Sequence, residues 1–487
     1  MSSDTPKTTS PQPPAAKQPA PPASAQEVFA SDGPEGVRAL TADPKKRLDF
    51  DGDPSKLVRT ARPIDRENPH PIYCVWEITL KCDLGCKHCG SRAGHARTEE
   101  LSTQECLDVV HQLADIGVRE VTLIGGEAYM RDDWHLIAKE ITRCGMVCGM
   151  TTGARNLDQR RVDLAVEAGL RTISVSLDGL EKTHDALRGS PGAWKAATEA
   201  CRRIAASPIR LANNTQINRL SMPELPAIAD LLIELGSKAW QIQLTVAMGR
   251  AADRPDMLPQ PYDLLELFPL LVWIKQTKLI PGGVQLFPGN NIGYFGPYEH
   301  LLRYGGDRGA HWSGCSAGLW TLGLEADGKI KGCPSLPSKE YTGGNIRDMA
   351  IAEAVANSRE IAHIRVRTRD DLWGFCNTCY YGDVCRAGCT WTSHCLLGRP
   401  GNNPYCIHRA LQYETQGLRE RIVKVEAAPG EPFDNGRFEI VVEQLPELLE
   451  DDQPSILGQS LPDLLNLKTD AGSLWERDHI KSILKRA

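Results

Sequence analysis

The chain has 487 residues, 41% of them hydrophobic and 24% charged, with a formal net charge of −6. That length allows two or three domains with a sizeable core, and the mildly acidic balance without a Lys/Arg run leaves no footprint for nucleic acid. No apolar stretch approaches a bilayer span, and the N-terminus lacks the basic region and apolar core of a secretion signal, so the expected compartment is the cytoplasm.

Residues 1–45 are rich in Pro, Ala, Ser, Thr and Gln and are expected to be disordered, since they cannot bury enough surface to offset their ordering entropy. Residues 46–70 stay charged and Pro-containing, a strap leading to the first strand. From Ile72 onward, short apolar runs alternate with amphipathic segments. The strands expected are Ile72–Ile78, Glu120–Ile124, Met146–Met150, Thr172–Leu177, Leu211–Ile217 and Trp240–Val246. Between them fall helices near Thr103–Ile116, Trp134–Arg143, Leu157–Ala168, Ala193–Ala206 and Leu225–Leu235. This alternation predicts a parallel sheet with right-handed crossovers, whose active site lies where the loops meet at the carboxyl ends of the strands. Residues 251–314 read as a bridge, with a helix at Leu264–Thr277 and the aromatics Phe287, Tyr294, Phe295 and Tyr298. A cysteine-dense, glycine-rich region follows over 315–410. Residues 411–487 complete the chain: a closing helix is expected over 410–424, then an acidic, Leu-rich tail with a strand at Phe438–Val442.

Sixteen cysteines in a chain without a secretion signal read as metal ligands rather than disulfides. The first set lies in the loop after the first strand, Glu77-Ile78-Thr79-Leu80-Lys81-Cys82-Asp83-Leu84-Gly85-Cys86-Lys87-His88-Cys89. Thiolate is the ligand iron–sulfur clusters prefer, and three of them on a four-iron cube leave one iron open to a small molecule. Zinc is the alternative, and it would want a fourth ligand. Gly125-Gly126-Glu127 ends the second strand, where glycine lets backbone approach a ligand and the polar groups can accept from an ammonium. Val175-Ser176-Leu177-Asp178-Gly179, followed by His184 and Arg188-Gly189, ends the fourth. The second set is Cys315, then twelve residues, Gly328, four more and Cys333, followed by Cys376-x2-Cys379-x5-Cys385-x3-Cys389 and Cys406. Cys74, Cys106, Cys144, Cys148 and Cys201 fall on or beside predicted elements and read as small buried hydrophobes.

These motifs, in this order, resemble the radical S-adenosylmethionine (SAM) enzymes carrying a C-terminal SPASM extension, over roughly residues 70–410. The resemblance implies an α/β fold, a partial (β/α)6 TIM-like barrel over 71–250, followed by a small SPASM domain with auxiliary iron–sulfur clusters. It implies a 4Fe-4S cluster on Cys82, Cys86 and Cys89, with SAM contacted by Gly125, Gly126, Glu127, Ser176 and Arg188. Alanine at 128 stands where the family usually has proline. Asn214 and Asn218 are weaker candidates for ribose contacts, and His88 reads as a spacer packing near the adenine. By the same resemblance Cys376, Cys379, Cys385 and Cys406 ligate one auxiliary cluster. Cys315, Cys333 and Cys389 serve another, whose fourth position falls to Cys395 or stays open. Glu325 and Asp327 are candidates for accepting a proton as a substrate radical is oxidised. Members of the family cleave SAM reductively to a 5′-deoxyadenosyl radical, which abstracts hydrogen from a substrate.

The implied activity is that of a peptide or protein maturase of the ribosomal natural-product type, installing an oxidative modification or crosslink. Enzyme maturation (sulfatase or amine dehydrogenase type) and cofactor biosynthesis in heme or quinone pathways are the alternatives within the class. The alternative outside it is a zinc-stabilised cysteine-rich binding protein. Implied partners are the peptide or protein substrate, an electron donor such as flavodoxin or ferredoxin, and a separate peptide-recognition protein; nucleic acid and membrane are not expected.

Overall fold

The computed structural model describes residues 59, 69–292, 296–303, 312 and 314–445. The disordered segment expected over 1–45, most of the strap, Tyr294, Phe295 and the tail beyond 445 lie outside the described residues. Among the described residues, no helix is long and apolar enough to cross a membrane.

Six parallel strands form in the predicted places: β1 (Tyr73–Glu77), β2 (Glu120–Ile124), β3 (Val147–Thr152), β4 (Thr172–Ser176), β5 (Arg210–Ile217) and β6 (Ala239–Leu244). The crossover helices include α1 (Thr103–Asp115), α2 (Trp134–Arg143), α3 (Gln159–Glu167), α4 (Glu181–Arg188), α5 (Ala193–Ala205) and α6 (Leu225–Glu234). Local chemistry fixes the start of α1. Ser102 and Glu105 form a reciprocal capping box at α1, which satisfies amide groups that the first turn leaves without a partner.

Strand side chains alternate between faces, and the two faces differ in character. One carries Trp76, Leu123, Ile173, Val175, Trp240, Ile242 and Leu244 into the main core, beneath the apolar stripes of the helices. The other faces an open trough. Along β4, β5 and β6 it presents Ser174, Ser176, Asn214, Gln216, Gln241 and Gln243, all at least partly exposed. At the trough's floor the Arg59 guanidinium lies 4.1 Å over the Tyr73 ring and bonds Glu120.

The sheet does not stop at six strands. β7 (Gln285–Pro288), inside the expected bridge, pairs parallel with β6, and α7 (Leu264–Ile274) buries Leu264, Leu267, Phe268 and Leu271 in the same core. Of the bridge aromatics, Phe287 stands exposed on β7 and Tyr298 is buried. On the other side β8 (Thr321–Leu324) pairs parallel with β1, and β9 (Lys329–Lys331) and β10 (Thr342–Asn345) follow antiparallel. The result is one ten-stranded sheet in the order β10-β9-β8-β1-β2-β3-β4-β5-β6-β7. The cysteine-rich region therefore continues the barrel sheet, and Cys315 and Cys333 flank the strands that do so.

The helix expected over 410–424 is corrected. α8 (Ile407–Glu414) is followed by Gly417 in the left-handed region at φ +71°. The chain then reverses into β11 (Leu418–Glu426), paired antiparallel with β12 (Arg437–Gln444). β-branched Ile422, Val423 and Val425 concentrate there, and Val423-Lys424-Val425-Glu426 alternates with a period of two, which suits a ribbon better than a helix. The strand expected at Phe438–Val442 lies within β12.

Candidate functional site

The first cysteine loop is locked to the end of β2 by backbone alone. Gly126 N–H donates to the Thr79 carbonyl (2.9 Å) and Glu127 N–H to the Lys81 carbonyl (2.8 Å). The approach is so close that a Cβ at Gly125 would lie 2.2 Å from Thr79 O, and one at Gly126 would lie 2.2 Å from Lys81 O. Both positions therefore require glycine. A second clamp comes from Gly189, at φ +64°, where a Cβ would meet Gly85 O at 2.5 Å.

The predicted site residues gather around this loop. Glu127 is buried, accepting from the Thr152 hydroxyl (2.5 Å) and the Gly153 N–H (2.6 Å). Burial, with the Asp83 charge nearby, pushes its carboxyl up to about 8. Arg188 is engaged within the protein: its guanidinium meets Asp178 Oδ2 at 2.5 Å and donates to Cys86 Sγ at 3.6 Å. His88 Nε2 also lies 3.1 Å from Asp178 Oδ2, so His88 ties the loop to the end of β4. Burial alone would raise the Asp178 carboxyl, but Arg188 and His88 hold it well below the usual carboxylate range. Ser176 sits on the trough face, in register with Asn214, itself paired with Gln241 on β6. Asn218 is buried away from them, where its side-chain oxygen caps the Leu220 and Ser221 amides.

The second cysteine set divides in two. Cys376, Cys379, Cys385 and Cys406 line one small pocket with Tyr381 and His408. Cys315 and Cys333 pack beside Trp391, and Cys389 lies close enough for both of their charges to raise its thiol. Cys395 packs in an apolar cluster with Val246, Met248 and Phe433, and lies close enough to Cys389 for that group's charge to raise its thiol.

The donor sets fit iron–sulfur clusters. No disulfide joins the cysteines. Burial pushes the thiol of Cys333 up to about 11 and those of Cys389 and Cys406 to about 12. Burial outweighs the nearby cations, Lys331 beside Cys333 and Arg409 beside Cys406, so the thiols stay protonated, and an iron cluster would supply the further positive charge that holds them as thiolates. Cys82, Cys86 and Cys89 offer three such ligands at the mouth of the trough. Cys74, Cys106, Cys148 and Cys201 are buried packing residues. Cys144 departs from that expectation, half-buried, with its sulfur within 4.8 Å of ligand atoms of Glu140 and His111.

Glu325 and Asp327 are not poised as proton acceptors. Glu325 is buried in an ion-pair knot, 2.6 Å from Lys331 Nζ and 3.1 Å from Arg97, with the Ser338 hydroxyl also bonded to it. Burial opposes ionisation there, but Lys331 and Arg97 together keep the carboxyl below its ordinary value. Asp327 pairs with Lys329 at 2.7 Å on the β8–β9 turn. Sequence reasoning missed the rest of this knot. Glu77 ends β1 beside Arg97 (3.0 Å), and burial pushes its carboxyl up to about 7. A glutamate directly before the cysteine loop was the available signal.

Residues 76–232 match the radical SAM superfamily. The chain is 28% identical to the AdoMet-dependent heme synthase of Methanosarcina barkeri, across 70% of this chain and 97% of that protein. It is 27% identical to the mycofactocin maturase MftC of Mycobacterium tuberculosis, across 72% of this chain and 87% of the relative. In fold it resembles Streptococcus suis SuiB bound to S-adenosylmethionine, with a TM-score of 0.54 at 17% identity, covering 66% of this chain and 74% of that one.

Proposed function

We propose that this chain, which belongs to the radical SAM superfamily, is a maturase that takes hydrogen from a peptide held in the trough and leaves an oxidative modification or crosslink. The observation that carries the substrate class is the inner wall of β4, β5 and β6. Ser174, Ser176, Asn214, Gln216, Gln241 and Gln243 are all neutral groups able to donate and accept. A peptide backbone presents one donor and one acceptor per residue and suits such a wall. A carboxylate-rich substrate would call for cations instead. Arg97, Lys331 and Arg59 are already matched to Glu77, Glu325 and Glu120. The likeness to MftC supports the same reading.

In this reading Cys82, Cys86 and Cys89 would hold a 4Fe-4S cluster, and Gly125, Gly126 and Glu127 would bind SAM. Bound there, these groups supply reductive cleavage of SAM to a hydrogen-abstracting radical. The rest is work for the chain's own side chains. Arg188 holds Cys86 against Asp178, His88 anchors the loop to β4, and Ser176 and Asn214 orient whatever enters the trough. Cys376, Cys379, Cys385 and Cys406 hold a second cluster, and Cys315, Cys333 and Cys389 a third. A flavodoxin or ferredoxin delivers the electron.

A second reading, tetrapyrrole cofactor biosynthesis, is favoured by the coverage of 97% of the heme synthase relative. One assay separates the two. Anaerobically reconstituted enzyme is given SAM, a reductant and either a short peptide encoded beside this gene or an iron porphyrin. The peptide should raise 5′-deoxyadenosine formation by about tenfold or more and should leave lighter by two hydrogens. Carbon dioxide released from the porphyrin, with the peptide unchanged, would put the second reading in its place.

A further inference from the structure

The loop joining β11 to β12, residues 427–436, reaches back to the mouth of the trough and is held there by more bonds than a hairpin turn needs. Asp434 Oδ1 accepts from Arg92 Nε (2.7 Å), only three residues beyond Cys89. Its other oxygen accepts from the Gly430 N–H (2.5 Å) and the Glu431 N–H (3.0 Å). Its carbonyl accepts from Gly249 N–H (2.8 Å), and Asn435 forms an isolated bridge with Met248.

This clamp drives Phe433 inward. Phe433 has φ +59°, a left-handed conformation that a bulky L side chain avoids, yet it is 8% exposed. Such a conformation persists only where the surroundings over-determine it, and it marks ligand clamps and active sites more than ordinary turns. The ring centroid is 4.0 Å from Lys331 Nζ on β9 and 5.8 Å from Arg97 Cζ. The same side chain packs with Val246 and Met248, just beyond β6, and with Cys395. β9 and β6 stand far apart in the strand order, so one aromatic side chain spans the opening of the trough. It does so between the first cysteine loop, whose Cys89 carbonyl accepts from the Arg250 N–H just beyond Met248 (3.0 Å), and Trp391, whose indole N–H lies 3.0 Å from Met248 Sδ and which packs on the same clusters as Cys315, Cys333 and Cys389.

We propose that Phe433 is a specificity-determining residue: it forms the roof of the substrate chamber and sets which part of the substrate faces the Cys82–Cys89 loop. This rests on the reading that the substrate lies in the trough. The strain is then the means by which a C-terminal hairpin places a rigid apolar wall opposite the polar wall of β4–β6. Lys331 lies against the ring while staying paired with Glu325.

The test uses full-length reconstituted enzyme carrying Phe433→Ala or Phe433→Leu. Phe433→Gly, which relaxes the left-handed backbone, guards against a folding defect in the Ala variant. Three quantities are read: iron per chain, labelling of Cys395 by N-ethylmaleimide mapped by mass spectrometry, and modified peptide per 5′-deoxyadenosine together with the peptide KM. The Ala and Gly variants should keep their iron, label Cys395 about tenfold faster, raise KM and lose coupling several-fold, and Leu should restore most of each. Parent-like labelling and coupling in the Ala variant would overturn the proposal, and so would loss of iron, which would make Phe433 a guard of the cysteine loop. Faster labelling with unchanged coupling would overturn it as well, because the roof would then cover something other than the substrate. If the parent turns over no peptide, the peptide reading fails by itself, and the same variants are read with the iron porphyrin instead: loss of coupling there keeps Phe433 as the roof, and unchanged coupling overturns it.

Discussion

Gly126 shows how tightly a single residue constrains the cysteine loop. A methyl there would have to displace the Lys81 carbonyl at 2.2 Å and the Cys82 Cβ at 2.7 Å, and neither is the end of a flexible side chain. Gly126→Ala should therefore cost about 1–3 kcal/mol in chemical denaturation and lower the iron bound at the loop. Gly145→Ala is the control: its φ is +80° with nothing within 4 Å, so only backbone strain of roughly 1–2 kcal/mol applies and the iron should stay. A buried carboxyl gives a second residue-scale test. Asp263 accepts from Gln260 N–H (2.8 Å) with Arg219 3.5 Å away, and burial pushes its carboxyl from 3.8 up to about 6. Because the folded value is raised, its contribution to stability is full below the ordinary carboxylate range and is lost as pH climbs through about 6. Asp263→Asn should thus gain on the parent between pH 4 and pH 7, by at most about 3 kcal/mol. Denaturation midpoints compared at the two pH values check the sign, and a difference that does not change with pH would contradict the burial argument.

At the scale of elements, the C-terminal hairpin depends on one buried pair. Arg409 on α8 meets Glu420 on β11 through two contacts of 2.5 and 2.6 Å, both residues almost fully buried. Removing one partner leaves an uncompensated buried charge, so Glu420→Ala should lose about 3–5 kcal/mol. The pair Arg409→Met with Glu420→Leu should recover most of that, and a double-mutant cycle measures the coupling. This hairpin is also where the sequence was hardest to read. The first six strands were legible because each apolar run is bounded by turn residues and followed by a helical stripe. Leu418–Glu426 offers Arg, Glu and Lys between its apolar positions, and those residues suit a helix on propensity alone. Its strand form is decided by β12, a partner eleven residues on, and by the docking of Ile422 against Gln260. β8 escaped for the same kind of reason: four residues of strand gain their meaning from pairing with β1, some 250 residues earlier in the chain.

For the molecule as a whole, the consequence of that pairing is that both cysteine regions hang on one sheet. β1 runs into the first loop and its neighbour β8 lies between Cys315 and Cys333, so the spacing of the two sites is set by strand register rather than by a flexible linker. The grouping of the cysteines was legible, since cysteine spacing is local, whereas the packing of Cys395 with Met248 and Phe433 is a tertiary fact that no spacing contains. Iron content tests the assembly. If all three proposed sites take four irons each, the parent should carry about twelve per chain, and a variant with Cys82, Cys86 and Cys89 changed to Ala should carry about eight. Cys376→Ala with Cys379→Ala should also leave about eight, while the SAM-dependent spectral change at the first loop persists, because the pocket around Cys406 is separate from it. Cys395→Ala should leave the count unchanged, since its thiol faces Met248 and Phe433. A fall of about four irons in that variant would instead make Cys395 the missing ligand beside Cys315, Cys333 and Cys389. Zinc in place of iron throughout would remove the radical chemistry from the proposal and leave the sheet-borne cysteines a structural role.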